Sequence, residues 1–151
     1  MKRLVCAVLL IVMMLSLVAC GSGAPREIDI KSVKEQIISE LSIEGALDLA
    51  SDRLLALYGI EEAEVLESAC FVTMGGVFPD EIVMIKAVDE DAADRIESKL
   101  NTRLDEIKVQ SQSYDPENYA IAQQCKVLRE GTVVALFMSA KYADMEAIFN
   151  R

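Results

Sequence analysis

Residues 81–107 read EIVMIKAVDEDAADRIESKLNTRLDEI, and the hydrophobic pattern changes period once within them. Ile82, Val83, Met84, Ile85 and Ala87 form an apolar, β-rich run, the composition of a buried strand. Beyond it Ala93, Ile96, Leu100, Leu104 and Ile107 recur at three- and four-residue steps. That spacing puts them on one stripe of a helix about six turns long. Asp89 sits at the junction, where a carboxylate can accept the free amide hydrogens of the first helical turn. A strand feeding a long amphipathic helix is therefore the centre of the predicted fold.

The neighbouring segments extend this unit on both sides. Ala69–Met74 is a second apolar run, separated from the first by Gly75, Gly76 and Pro79, so strands over 68–74 and 81–87 are predicted to form a hairpin with a longer loop. Further upstream, Ser32-Val33-Lys34-Glu35 fits a capping box, with Val33, Ile37, Ile38 and Leu41 following at helical spacing; a helix over 32–42 is expected. Ser51 and Asp52 precede Leu54, Leu55, Leu57 and Tyr58, with Gly59 after them. This predicts a short capped helix, apolar through those four residues, that stops at the glycine. Glu61–Leu66 is expected to add one more turn.

Downstream, Asp115-Pro116 marks another helix start, because proline at the first helical position forfeits no needed amide bond. The helix is expected to reach about Gln123. Residues 125–129 and 132–139 read as strands joined at Glu130-Gly131, where glycine tolerates the positive φ of a tight turn. Ser139 is placed to cap a last helix burying Met145, Ile148 and Phe149. There is no internal repeat. The order, a helical lead-in followed by ββαββα, predicts an α+β fold with antiparallel strands packed against the long helix and the helices on one face.

The N-terminus has a separate character. Lys2 and Arg3 precede an uncharged run from Leu4 to Ala19, shorter than the roughly 20 residues that span a bilayer permanently, so an export signal is favoured over a membrane anchor. Leu17-Val18-Ala19-Cys20 resembles the lipobox of bacterial lipoproteins, which implies cleavage after residue 19 and a diacylglycerol on Cys20. Two acyl chains hold a protein stably where one binds only marginally. The expected organisation is a cleaved signal peptide over 1–19, a lipidated N-terminus and Gly/Ser spacer over 20–31, and one extracytoplasmic domain over 32–151. The chain would then lie at the outer face of the cell membrane.

The formal charge of −10 includes Lys2 and Arg3, so residues 20–151 carry −12. Such a field repels nucleic acid and anionic headgroups, and draws in cations or basic proteins. Histidine is absent, which excludes Ser-His-Asp and Cys-His catalysis and imidazole zinc sites. Two carboxylates alone can still support glycoside hydrolysis, but sequence does not single out a pair. Asp89, Glu90, Asp91 and Asp94 lack the glycine and distal glutamate of a calcium loop and suit a helix N-terminus instead. No metal or other cofactor is expected beyond the lipid on Cys20.

Cys70 and Cys125 are the thiols left after Cys6 is removed and Cys20 acylated. Export permits a disulfide between them, stabilising by about 4 kcal/mol over a loop of roughly 55 residues, but two separately buried thiols are favoured because cross-strand geometry is demanding. The loop carrying Gly75, Gly76, Val77 and Phe78 is the candidate interaction surface, if Phe78 points outward rather than folding over the sheet edge.

Three strings then support a family resemblance: Leu57-Tyr58-Gly59-Ile60-Glu61, Asp80-Glu81-Ile82-Val83-Met84-Ile85-Lys86, and Tyr114-Asp115-Pro116-Glu117 ahead of the Gly-turned hairpin. Over about residues 32–149 the chain resembles the small lipoproteins of Gram-positive anaerobes that carry the domain of unknown function 4358. The resemblance implies the lipid-anchored layout and no particular activity. From sequence, the expected role is a non-enzymatic protein-interaction module at the cell surface. A small-ligand or cation-binding lipoprotein is the alternative, and a carboxylate-based cell-wall hydrolase the third reading.

Overall fold

The computed structural model describes residues 26–75 and 78–151. The proposed signal peptide, Cys20, Gly76 and Val77 lie outside the described residues. The elements in chain order are α1 (Ile30–Glu40), β1 (Ala46–Asp48), α2 (Arg53–Tyr58), a 3-10 turn (Glu62–Glu64), β2 (Val65–Ser68), β3 (Phe71–Thr73), β4 (Glu81–Ala87), α3 (Glu90–Tyr114), α4 (Pro116–Gln124), β5 (Val127–Glu130), β6 (Val133–Met138) and α5 (Tyr142–Phe149). Helix and antiparallel sheet are both present in quantity, and the fold is α+β.

The sheet is ordered β1-β3-β4-β6-β5, with β2 pairing β4 in line with β3. All pairings are antiparallel. Both expected hairpins form, but the strand expected over 68–74 is broken at Ala69–Cys70 into β2 and β3, and β2 begins at Val65, inside the segment expected to add a turn; β5 turns into β6 at Gly131, whose φ is 57°. The three-residue strand β1 was not expected. It is too short to show a period-2 pattern and forms only because β3 offers it an edge.

The helices cover both faces of the sheet, not one. Side chains alternate along each strand, so the cross-strand register identifies the faces. Glu81, Val83 and Ile85 share a face with Met138, Leu136 and Val134, and Arg103 of α3 hydrogen-bonds Glu81 there. Ile82 and Met84 lie on the other face with Phe137 and Ala135, where the ring of Phe149 in α5 meets Phe137 edge-on at 5.8 Å and 72°. Helix α1 packs with α5 on that second face. Burial on both sides accounts for the unbroken apolar run Ile82–Ile85, all of it inaccessible; a sheet wet on one face would alternate.

Local capping agrees with the sequence at Asp89, Asp115 and the left-handed stop Gly59, and departs from it at three helix starts, one of them α2, where Asp52 makes no side-chain cap. Asp89 accepts from the Ala92 amide at 2.7 Å, and Asp115 accepts from Asn118 at 3.1 Å. Helix α1, however, starts two residues early: Asp29 takes the amides of Lys31 and Ser32, while the Ser32 hydroxyl accepts from Gln36. Helix α5 begins at Tyr142 without a side-chain cap, and Ser139 instead accepts from the Lys141 amide in the preceding turn. In α2 only Leu54 and Tyr58 are buried; Leu55 and Leu57 face solvent.

Candidate functional site

The long helix α3 is fastened to the sheet by ionic contacts of opposite polarity on its two flanks. Just before β2, the buried Glu64 carboxylate accepts from Arg95 Nε and Lys99 Nζ, each at 2.7 Å, and from the Glu61 amide at 3.0 Å. Burial alone raises a carboxyl pKa, but the Lys99 and Arg95 hydrogen bonds outweigh it and bring Glu64 down to about 2. On β5 the polarity reverses. The Arg129 guanidinium binds Glu90 at 2.6 Å and Glu97 at 3.1 Å, and also Asp94. These three carboxylates raise its pKa. Between the flanks, Arg103 makes a bidentate pair with Glu81 at 3.1 and 2.8 Å. Burial, with the same Glu81 carboxylate nearby, raises the Tyr58 phenol pKa.

These groups are committed to structure. Among the described residues the buried Glu64 has its counter-charges, Glu81 is ion-paired with Arg103, and Asp80 accepts from the Ser139 hydroxyl. Sequence reasoning did not pick out Glu64, since Glu61–Leu66 reads only as one more turn. The signal was on the other element: Arg95 and Lys99 stand four apart on α3 beside its apolar stripe, a spacing that presents two cations to one point.

Cys70 and Cys125 are free and buried. They flank the sheet on opposite sides of the β4–β6 pair: Cys70 Sγ lies 3.6 Å from the Met84 carbonyl, and Cys125 Sγ lies 3.4 Å from that of Ile121 and 3.8 Å from that of Ser139. With β3, β4, β6 and β5 adjacent in that order, the separation is three strand spacings, about 14 Å, well beyond disulfide reach. Burial pushes the Cys70 thiol pKa up to about 11 and raises that of Cys125, so neither supplies a thiolate near neutrality.

The loop between β3 and β4 is pinned at its base. Asp80 donates its amide to Thr73 Oγ1 at 2.8 Å and accepts from the Ser139 hydroxyl at 2.6 Å. Phe78 is half-buried and packs against the core; Met74 is 79% exposed, and Gly75 is also exposed. Asp89 caps α3 and Asp94 binds Arg129, while Glu90 and Asp91 stand in the helix's first turn.

A different segment exposes four leucines. Leu47, Leu55, Leu57 and Leu66 are each about half exposed or more, and all lie within the segment that forms β1, α2 and β2. β1 pairs only with β3, and among the described residues no strand covers the outer edge of β2. Lys31 of α1 crosses this edge to pair with Glu67 at 2.8 Å. The opposite edge differs, because there Arg129 is tied down to α3 and Glu130 accepts from the Arg26 amide at 3.2 Å.

A family model described as Domain of unknown function (DUF4358) matches residues 39–139. The chain belongs to this family. No curated protein and no solved structure matches it. The DUF4358 segment runs from the end of α1 to Ser139, and so holds every strand, both ionic flanks of α3 and the exposed leucines. Helix α5 and nearly all of α1, which cover the second face, lie outside it. Within the DUF4358 segment, the open β2 edge with its exposed Leu66 is the candidate interaction surface, and the β3–β4 loop stands at the opposite end of β4.

Proposed function

We propose that the chain is a non-enzymatic protein-interaction module, anchored by lipid on Cys20 at the extracytoplasmic face of the cell membrane. The observation that carries the interaction reading is the unpaired edge of β2, where Leu66 is exposed, in a strongly acidic domain whose adjoining β1–α2 segment also exposes Leu47, Leu55 and Leu57. Exposed apolar side chains gathered beside unpaired strand groups are what a partner buries. The buried thiols and the ion-paired acids support a binding role over a chemical one. The recesses on this surface are open to solvent, unlike the concave apolar pocket that encloses a small ligand.

The anchor rests on Leu17-Val18-Ala19-Cys20 and the charge order ahead of it. Arg26, the first described residue, is held at the β5 side by Glu130 and by the Phe149 carbonyl. Six peptide steps separate it from Cys20, a reach of at most about 21 Å. A domain lipidated at Cys20 is thus kept close to the bilayer.

Two measurements test the two halves. Cys20→Ala should move the protein out of the membrane fraction and abolish metabolic labelling with palmitate; retention in the membrane overturns the lipid reading. A photo-crosslinking residue placed at Leu55 or Leu66 in intact cells should give a discrete protein adduct, whereas the same probe at exposed Gln123 on α4 should give none. Absence of adducts from all exposed-leucine positions overturns the interaction reading.

A further inference from the structure

We propose that the open edge of β2 is a strand-addition groove that takes an extended, Lys- or Arg-bearing segment of a partner protein. This rests on the interaction-module reading and adds to it the place, the geometry and the chemistry of the partner.

The groove comes from the way the chain leaves the sheet. β1 runs beside β3, and its ladder is prolonged by one bond, Leu49 N–H to the Cys70 carbonyl at 3.0 Å. The chain then turns away at Ser51 into α2. The line that β1 occupied beside β3 therefore continues beside β2 as a gap one strand wide, about 4.8 Å between backbones. The Ala69 amide donates inward to Met84 at 2.9 Å, so by alternation Ser68 directs its own peptide groups into the gap. Between Val65 and Glu67 the register shifts, and Leu66 at this bulge is 64% exposed. Three recesses of about 320, 540 and 270 Å³ line this edge, and all share Lys31. The first and third together touch every residue from Val65 to Cys70, enough for a short extended segment, and the second lies beside them over Glu67 and its β4 partner Lys86.

Charge selects the occupant. Glu27, Asp29, Glu35, Asp48, Glu62 and Glu67 border these recesses. Lys31, Lys34 and Lys86 are the cations among them, and Lys31 and Lys34 are already neutralised by Glu67 and Asp48. What remains is acidic, on a domain carrying −12. A second copy would bring the same acids to the same place and be repelled. The chain's own N-terminal residues enter at Arg26, beside Glu130 on the opposite edge strand. A basic extended segment from another protein satisfies both the strand groups and the field, the mode in which main-chain bonds supply affinity and alternate side chains supply selectivity.

The test uses the full chain in detergent micelles and two six-residue peptides, one alternating Lys with Val and one alternating Glu with Val. Hydrogen exchange is read residue by residue. The Lys peptide should slow exchange at Val65–Ser68 by about ten-fold or more while leaving Val127–Glu130 unchanged, and the Glu peptide should do neither. Ser68→Pro, which removes an outward donor, should abolish the protection. Should that variant fail to fold, Glu35→Lys with Glu62→Lys, both at exposed positions, should transfer the preference to the Glu peptide.

Several results overturn the proposal: no protection at β2, equal protection by both peptides, or protection without peptide that grows with protein concentration, which assigns the edge to a second copy. Protection without peptide that is lost when residues 21–25 are replaced by a longer Gly-Ser stretch assigns it to the chain's own N-terminus. Cellular crosslinks from the exposed leucines with no peptide binding would sink the groove alone. Peptide binding with no cellular crosslink would sink the interaction-module reading and leave the groove standing.

Discussion

Glu64 and Arg129 do the same job on opposite flanks of α3, with opposite charge and very different exposure. Glu64 is 7% exposed and held by two cations from the helix; Arg129 holds three helix carboxylates that are all at least one-third exposed. The number of contacts favours Arg129, yet solvent decides the energy. An exposed ion pair contributes about 0–1 kcal/mol, because water and salt screen it and long side chains must be ordered. Removing one partner of a buried pair costs more, since the others are left without compensation. The flank with fewer ion pairs should be the stronger.

The largest effect is therefore expected from Glu64→Gln, a loss of about 2–3 kcal/mol that lies below the full buried-pair figure because Arg95 is half exposed and can rehydrate. For a domain of this size that is a fall of roughly 10 °C in the unfolding midpoint. The same carboxyl gives a pH signature. Its folded pKa is depressed from 4.5 to about 2, so its stabilisation is complete above about pH 5 and is lost as pH falls from 4.5 towards 2. The wild type should lose stability across that window, and Glu64→Gln should lose less. A variant with an unchanged midpoint at pH 7, or with the same acid sensitivity as wild type, removes Glu64 from this role.

Glu64 also shows where sequence is informative and where it is not. The elements at the centre were legible because their signals are local: the apolar run of β4, the 3–4 spacing along α3, the Asp89 and Asp115 caps, and Gly131 in the second hairpin. Helices on both faces were legible in principle, since Ile82–Ile85 does not alternate, but the expected one-face packing took the order of elements as its guide. Features made by distant residues were not visible. Nothing near Glu64 reveals that residues 31 and 35 positions later will surround it. Leu55 and Leu57 look like core residues until the path of α2 leaves them outside. Asp29 wins the α1 cap from Ser32 because it precedes Ile30, which the core requires fully buried.

A smaller effect should come from Gly59→Ala, which acts on the approach to Glu64 rather than on the ion pairs. Gly59 ends α2 with φ +68°, and a Cβ built there meets nothing within 4 Å. The cost is therefore conformational, about 1–2 kcal/mol for an L residue in the left-handed region. Combined with Glu64→Gln, it should show whether that turn also positions the carboxylate: losses that simply add make the sites independent, and a combined loss clearly below their sum couples them.

Arg129→Gln should cost less still, about 0.5–1 kcal/mol, and the loss should shrink as salt is raised, because all three partner carboxylates are screened. Its local consequence is more telling than its stability. Freed from α3, the β5 edge should exchange its amide hydrogens faster at Val127–Glu130, with Val65–Ser68 unaffected. A loss as large as that of Glu64→Gln would reverse the ranking of the two flanks.

The smallest expected change is Leu66→Ser, which should leave stability within about 0.5 kcal/mol of wild type. A leucine 64% exposed at a β-bulge buries too little surface to stabilise the fold by the 1.5–3 kcal/mol typical of a buried one. Val83→Ala, at a fully buried position of β4, the strand that pairs with β2, gives the contrasting measurement and should cost about 1 kcal/mol or more through lost contacts and a residual cavity. If Leu66→Ser instead proves as costly as Val83→Ala, Leu66 packs against the domain in solution and the β2 edge is closed. If it is neutral for stability and weakens the adduct formed from Leu55 in cells, then Leu66 contributes to contact with a partner and not to holding the domain together.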